Sequence, residues 1–459
     1  MSGKISPTVM KFGGTSVQDA SSFTRATEIV AGEDENSPVV VTSAMSKVTD
    51  ALLSAFDLAK KGDYENAFAS LEPHFERHTK VAKQLTGKTQ QKSFQTELDY
   101  AKKDLNELLM RVSRRSLPLQ MLKDAIVSYG EQLSSRLLTE VLRAKNLKAR
   151  QIDARRLIVT DEEYGAAAPI WSETEKLIQI ELQPLIEAGE IPVLGGFIAA
   201  SRSGETTTLG RGGSDYSAAL VGAALRSREI QIWTDVTGVL TCDPRICSEA
   251  KTIKTLSYEQ AAELAYFGAK VLHPKTIQPA VDFRIPVRVC NSHQPTEKGT
   301  MILPKSGTTP RVVKSIVYKT GITILLITSA RMLGAYGFMS AIFQIFERHR
   351  TVIDVVTTSE VSVSLTLDNT AALETITKDL ERLGQVKIEP NQAVICVVGE
   401  GLRGTSGVAA QIFSTISDVN ISLISHGASS VNLTFVVKEE QVNEVIKRLH
   451  GKFFTEIKS

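Results

Sequence analysis

Apolar and polar positions change their period along the chain, and the changes divide it. Up to about residue 300 strand-like and helix-like stretches alternate. The short run "TVMKFGG" (8–14) ends in a glycine pair, a helical stretch follows through "SFTRATEIV", and a buried-strand run "PVVVTSA" (38–44) comes next. Strands alternating with helices predict parallel β-α-β units and an α/β domain. From about 46 to 147 the pattern is helical and rich in Lys, Glu, Gln and Leu, and it reads as a solvated helical excursion. Strands return at "IPVLGGFIAA" (191–200), "IQIWTDVTGVL" (230–240) and "IPVRVC" (285–290). "LPKSGTTPRVVK" (303–314), with two prolines, a glycine and several hydroxyls, reads as a linker.

Beyond the linker the pattern repeats. Residues 337–367 align without gaps on 407–437, a shift of 70 that pairs Gly337 with Gly407, Ser359 with Ser429 and Val361 with Val431. Each copy runs apolar strand, glycine loop, amphipathic helix, strand, turn and alternating strand. The period of two in "SVSLTL" and "VNLTFVV" suits half-buried antiparallel strands. Two copies of one small β-α-β-β unit are the economical reading. The repeat also decides how to take "GEGLRG" (399–404), a G-x-G-x-x-G string between a strand and a helix, with Asp418 placed where a ribose-binding acid would stand. A dinucleotide unit needs a parallel crossover, whereas this strand turns back into a hairpin. The equivalent loop of the first copy, "ARMLGAYG" (330–337), has no such fingerprint. The string is therefore expected to be a structural or small-ligand loop.

Composition narrows the function classes. Apolar residues make up 42% and charged residues 23%, with a net charge of +2. A balance this near neutrality gives no electrostatic reason to expect nucleic acid or an anionic membrane as partner. The length predicts two to four domains. No apolar run approaches the roughly twenty residues needed to span a bilayer, and no signal peptide is visible. The cysteines (Cys242, Cys247, Cys290, Cys396) show no C-x-x-C pair, so a reduced, cytoplasmic setting is expected and no metal site.

Four loops carry candidate chemistry. In "KFGGTS", Gly13 and Gly14 let the backbone approach an anion ahead of a helix N-terminus, and Lys11 can neutralise phosphate charge. In "LGRGGSDYSAAL", Gly212 and Gly213 would expose consecutive N–H groups, Arg211 offers a planar fork, and Ser214 and Asp215 open a helix, where either could simply be its cap. "IWTDVTGVLTCDPR" places Thr234, Asp235, Asp243 and Arg245 just after a strand, where α/β proteins bind ligands. Glu131 of "YGEQLSSRLL" sits near a helix start, where an acid also merely favours the dipole. Two strings are set aside: "GKT" (87–89) lies in a helical context without a Walker glycine, and His74 and His78 read as solvated histidines.

Together "VMKFGGTSV", "LGRGGSDYSAAL", "WTDVTGVLTCDPR" and "ELAYFGAKVLHPKTI" closely resemble the aspartate kinases of the amino-acid-kinase family, over essentially the whole chain. The resemblance implies a three-layer α/β/α sandwich (1–305) followed by two ferredoxin-like ACT domains (315–390 and 391–459), whose strands can interleave. It implies MgATP-dependent phosphorylation of the L-aspartate side chain to 4-phospho-L-aspartate, the entry to lysine, threonine and methionine synthesis. By resemblance, Lys11 and Asp215 are catalytic. Ser43, Thr49, Glu131, Arg211, Gly212, Gly213 and Ser214 hold the substrate. Lys11, Phe12, Gly13, Gly14, Thr234, Asp235, Leu240, Asp243, Arg245, Lys270 and Val271 surround the nucleotide. Leu240 stands where many members carry a tyrosine. Feedback by an end product is implied, lysine first and threonine second, through Met332, Phe338, Asp354, Ser359 and Glu360. Ala335 and Val352 replace serines found in some lysine-inhibited relatives. Pairing of ACT sheets implies a homodimer or homotetramer.

The chemistry suits these residues. An aspartate carboxylate is already ionised at neutral pH (about 3.9 in model peptides), so no general base is required, only charge neutralisation and positioning. Arg211 can clamp an α-carboxylate and Glu131 an α-ammonium. The competing expectations are another amino-acid kinase acting on glutamate or a nucleotide monophosphate, a nicotinamide-dependent oxidoreductase using "GEGLRG", and a non-catalytic amino-acid sensor. No homoserine dehydrogenase is expected to follow the second copy.

Overall fold

The computed structural model describes residues 5–268, 274–306 and 312–455. They form two units. The first comprises residues up to Val239, Lys254–Tyr258 and the stretch ending at Ser306; the second comprises Leu240–Ile253, the stretch from Glu259 and the chain beyond 306.

The N-terminal unit opens with β1 (Thr8–Phe12), α1 (Ala20–Gly32), β2 (Val39–Thr42), α2 (Val48–Lys60), α3 (Tyr64–Ala69), α4 (Glu72–Leu85), α5 (Lys88–Arg114) and α6 (Leu119–Ala144). It continues with β3 (Ala149–Ile152), β4 (Val159–Thr160), α7 (Trp171–Glu187), β5 (Ile191–Gly195), β6 (Ile198–Ser201), β7 (Thr206–Thr208), α8 (Gly213–Leu225) and β8 (Glu229–Thr234). β9 (Thr255–Ser257), α9 (Tyr258–Tyr266), α10 (Gln278–Asp282), β10 (Val287–Asn291) and β11 (Thr300–Leu303) follow, although α9 from Glu259 onward packs with the second unit.

The main sheet has the order β3-β5-β2-β1-β8-β10-β11-β9, parallel except where β11 meets β10. β1 at its centre shows how two helical layers arise. Met10 and Phe12 enter a core shared with α1, α2, α4, α5 and α6. Val9 and Lys11 alternate to the opposite face, the face α8 covers. The central strands β1, β2 and β5 are buried on both faces, as parallel strands between helices must be. Register then lines up strand ends: Phe12 pairs with Thr42 on one side and Trp233 on the other, so the loops after β1, β2 and β8 emerge together.

The helical block departs from the expectation of a solvated excursion. α5 carries Phe94, Leu98, Ala101, Leu105, Leu109 and Val112 on one stripe, all buried in the same core as the sheet. α6 is buried along most of its length. His78 is likewise buried rather than solvated: its Nδ1 lies 2.7 Å from the His74 carbonyl, its ring stacks on Phe94, and burial pulls its pKa down to about 4.

The C-terminal unit holds β12 (Val313–Thr328), α11 (Phe338–Arg348), β13 (Val356–Thr358), β14 (Ser362–Leu367), α12 (Leu373–Leu380), β15 (Gln385–Gly399), α13 (Val408–Thr415), β16 (Leu423–His426), β17 (Asn432–Lys438) and α14 (Val442–His450). Its antiparallel sheet has the order β13-β14-β12-β15-β17-β16. β12 and β15 run the length of both lobes. Leu325, Ile327 and Val386 serve the first core, with α11 and α12; Val313, Ile316, Ala393 and Ile395 serve the second, with α13 and α14. The repeat is visible in matching helix entries, since Gly337 and Gly407 both cap a helix at φ near +80°. "GEGLRG" closes β15, whose partners are antiparallel, and its first N–H groups are spent inside the protein: Gly399 N donates to Val431 O and Glu400 N to Val312 O.

Candidate active site

A cleft of 420 Å³ opens at the carboxyl ends of β1 and β2, and its walls include Lys11, Gly14, Ser43, Thr49, Glu131, Arg211, Gly212, Gly213, Ser214 and Asp215. All ten were expected at the site from sequence, and they come from four separate segments of chain.

Lys11 is brought in by strand alternation and meets α8. Its Nζ lies 2.7 Å from Asp215 Oδ1, an ion contact without the direction of a good hydrogen bond. Gly14 follows, where the chain passes so close to β2's exit that a Cβ would stand 2.9 Å from the Ala44 carbonyl. Backbone bonds lock the two loops together: Ser43 N donates to Phe12 O and Ser46 N to Gly14 O. Arg77 of α4 also donates to the Ser46 carbonyl at 2.7 Å.

At the far wall, Gly212 takes φ +73°, a conformation open to glycine at little cost, and turns the chain into α8. The expected run of free N–H groups at Gly212-Gly213 is shifted by one step. Gly213 N donates to Gly210 O, and the first intrahelical bond is Tyr216 N to Gly212 O. The first-turn donors without an intrahelical acceptor therefore include those of Ser214 and Asp215.

Glu131 projects from α6. It is 4% exposed and its Oε2 has no hydrogen-bond partner. Burial pushes its pKa up to about 8, against the pull of a hydrogen bond from the Ala44 backbone and the charge of Lys11. A buried carboxyl at a cleft wall with one oxygen unpartnered is poised for a cation. Arg211, exposed in the same cleft, offers the complementary positive fork. The cleft thus presents cation-seeking and anion-seeking groups together, the requirement for an amino acid.

The residues expected around a nucleotide divide between the units. Thr234 ends β8 and Asp235 follows it, their side chains hydrogen-bonded at 3.1 Å, and the Thr234 carbonyl accepts from Ser292. Ser292 Oγ in turn lies 2.9 Å from Ser16 Oγ, tying the loops after β1, β8 and β10. Leu240, Asp243 and Arg245 belong to the second unit. Arg245 grips Asp243 through two nitrogens, which holds that carboxyl below its usual range, and Tyr318 of β12 donates to the same group. The Leu240 carbonyl accepts from Ser315. Lys270 and Val271 lie outside the described residues.

Of the expected effector residues, Met332 and Phe338 pack against the first lobe's core. Ser359 and Glu360 form an exposed turn before β14, with Ser359 Oγ 2.7 Å from Ser362 Oγ. Asp354, its side chain 2% exposed, is already occupied. Lys319 of β12 reaches it at 3.2 Å and Tyr266 of α9 donates at 2.6 Å, while Lys319 also pairs with Asp368 at 2.7 Å.

One side chain that braces a neighbouring strand escaped the sequence. Asp124, buried on α6, accepts from Gly165 N and Thr208 N through a single oxygen, at 2.8 and 2.9 Å. It fixes the end of β7, from which the Arg211 loop departs. The signal was its place seven residues before Glu131, on the same helical face.

Comparison with known proteins converges on one family. The model of the amino acid kinase family matches residues 6–291, and an ACT domain model matches 395–453. Aspartokinase 2 of Arabidopsis thaliana, a chloroplastic protein, is 37% identical across 98% of this chain and 85% of its own. Lysine-sensitive aspartokinase 3 of Escherichia coli is 35% identical, covering 97% of this chain and 99% of its own. The crystal structure of Escherichia coli aspartokinase III in complex with aspartate and ADP superposes with a TM-score of 0.82 at 34% identity, over 98% of this chain and 100% of that one. With the kinase fold, the cleft and this full-length similarity agreeing, the chain belongs to the aspartokinases of the amino acid kinase family.

Proposed function

We propose that the chain transfers the γ-phosphoryl group of ATP to the side-chain carboxylate of L-aspartate, giving 4-phospho-L-aspartate, and that lysine restrains it through the C-terminal unit. The observation that carries this reading is the cleft in which Lys11, Arg211 and the buried, unpaired Glu131 converge. Arg211 takes the substrate α-carboxylate and Glu131 its α-ammonium, which leaves the side-chain carboxylate facing Lys11. Lys11, held by Asp215, and the N–H groups opening α8 offset charge on the transferring phosphoryl group. These donors suit phosphate and carboxylate oxygens. Mg²⁺, bound as MgATP, would supply further neutralisation of phosphate charge. Thr234, Asp235, Leu240, Asp243, Arg245, Lys270 and Val271 are assigned to the nucleotide, with Phe12, Gly13 and Gly14.

Residues 1–305 are assigned to catalysis, and 315–390 and 391–459 to regulation. Sensitivity to lysine is supported by similarity to the lysine-sensitive enzyme, with threonine as the second candidate effector. A homodimer or homotetramer formed through the ACT lobes is supported by the exposure of Leu333, Tyr336 and Val352. Four unpaired thiols favour a reducing compartment, with the cytoplasm as the proposed one; no described helix is long and apolar enough to cross a membrane.

The test is trapping with hydroxylamine. ATP and L-aspartate should yield aspartyl hydroxamate, whereas glutamate or a nucleoside monophosphate should yield no acyl product. Absence of hydroxamate from folded protein, or equal turnover of glutamate, would overturn the assignment.

A further inference from the structure

Cys242 and Cys247 have the spacing C-x4-C, which by itself lacks a second pair of ligands. The fold supplies a third donor from more than two hundred residues away in sequence. His450, the last residue of α14, meets them inside the second lobe of the C-terminal unit, and the two sulfurs and a ring nitrogen all lie within 4.8 Å of one another. All three residues are buried, at 3%, 8% and 3% exposure.

Their surroundings are apolar on most sides. Cys242 and Cys247 share a core with Ile316, Leu449 and Phe454, and the Phe454 ring lies 4.8 Å from that of His450. Polar groups are also at hand, and the charges of Glu249 and Lys251 both act on His450. Thr241 Oγ1 stands 3.0 Å from His450 Nε2 and accepts from Lys251 N, and the Asp243 carbonyl lies 3.7 Å from Cys242 Sγ.

We propose that Cys242, Cys247 and His450 hold one thiophilic divalent cation of the zinc class, as a structural site. Two thiolates and a neutral imidazole balance a dication to zero net charge, the condition for placing an ion in an apolar core. Sulfur and imidazole nitrogen together select zinc over magnesium or calcium, which take oxygen. Tetrahedral bonds of about 2.3 Å put two sulfurs about 3.8 Å apart. With the ligand atoms already within 4.8 Å of one another, closing to that distance requires at most about 1 Å of side-chain movement. A water or Thr241 Oγ1, 3.0 Å from His450 Nε2, would complete the fourth position. The ion would fasten the segment carrying Asp243 and Arg245 to α14, within one unit. It has no part in phosphoryl transfer, since no ligand lines the aspartate cleft.

The experiment uses full-length protein stripped by a chelator under reducing conditions and titrated with Co²⁺. One equivalent should bind with sulfur-to-cobalt charge-transfer absorption and tetrahedral d–d bands, and Zn²⁺ should displace it. Cys242→Ser should remove much of the sulfur band, and His450→Gln should weaken binding by about tenfold or more. X-ray absorption at the zinc edge of the wild-type protein is independent of any variant's folding. Two sulfurs at about 2.3 Å and imidazole nitrogen at about 2.0–2.1 Å are expected there. Coordination by oxygen and nitrogen alone, absence of a sulfur band at one equivalent, or a Cys242–Cys247 disulfide in the protein as isolated would overturn the proposal.

Discussion

Glu131 joins an ordinary residue type to an unusual state. With a pKa near 8 it is mostly protonated at neutral pH in the empty cleft, because burial disfavours its charge. A substrate ammonium reverses that preference, so aspartate binding should release a proton. Below about pH 8 the apparent affinity should climb with pH, by at most about tenfold per unit, and level off above. Calorimetry in buffers of differing ionisation enthalpy reads the proton directly; a KM for aspartate flat from about pH 6 to 8.5 would count against the role. The stability effect has a definite sign. The folded pKa lies above the ordinary value of 4.5, so this contribution is complete below about 4.5 and is lost as pH rises through about 8. Glu131→Gln should melt higher than wild type at alkaline pH, with the gap shrinking as pH falls. Lys11 carries the complementary prediction: Lys11→Ala should cut kcat by about a hundredfold or more, read by hydroxamate formation. That both residues line one cleft agrees with the strings that singled them out, each short enough for its chemistry to be local. That Glu131 keeps one carboxyl oxygen without a partner was not legible, since burial depends on strands and helices distant in the chain.

At the scale of elements, α6 acts as the brace of the site. Asp124 and Glu131 lie two turns apart on one face, the first holding β7 and the second lining the cleft. Asp124→Ala would strand the buried Thr208 N–H and the part-buried Gly165 N–H, costing about 1–3 kcal/mol and raising KM for aspartate through the displaced Arg211 loop. Both bonds go to one oxygen, so Asp124→Asn can keep them and should stay near wild type in melting temperature and KM. Equal damage from the two substitutions would refute this role. The helical block was misjudged as solvated because the outer faces of α4 and α5 dominate its composition. The apolar stripe from Phe94 to Val112 is thin and spaced by threes and fours, yet it is wholly buried. The paired ACT pattern was legible as a repeat with a shift of 70, and the matching glycine caps reproduce it. The sharing of β12 and β15 between lobes could only be seen in the pairing, because β-register over long separations has no local signature.

For the molecule as a whole, the issue is how an effector is felt, and the C-terminal unit holds a specific obstacle. Asp354, expected to receive an effector's amino group, is already satisfied by Lys319 and Tyr266. Lys319 places an ammonium where an incoming one would bind, so the chain carries an internal competitor. Tyr266 belongs to the segment from Glu259 that packs with this unit, and its hydroxyl is held protonated by burial and by Asp354. An effector ammonium that displaces Lys319 therefore changes the partner shared by β12, α9 and the loop before β13. Lys319→Met should remove the competitor while keeping much of the stem's packing. The empty first lobe should lose about 1–3 kcal/mol, because a buried carboxylate is left with only the tyrosine hydroxyl. The same unmet charge should favour ligand, so half-inhibition by lysine should shift to lower concentration. Asp354→Ala should move it the other way, abolishing inhibition while leaving hydroxamate formation intact. Weaker lysine inhibition in Lys319→Met would mean that Lys319 orients Asp354 for the effector instead of competing with it. Inhibition by threonine alone would remove lysine from the scheme and leave the Lys319–Asp354 pair as a purely structural tie.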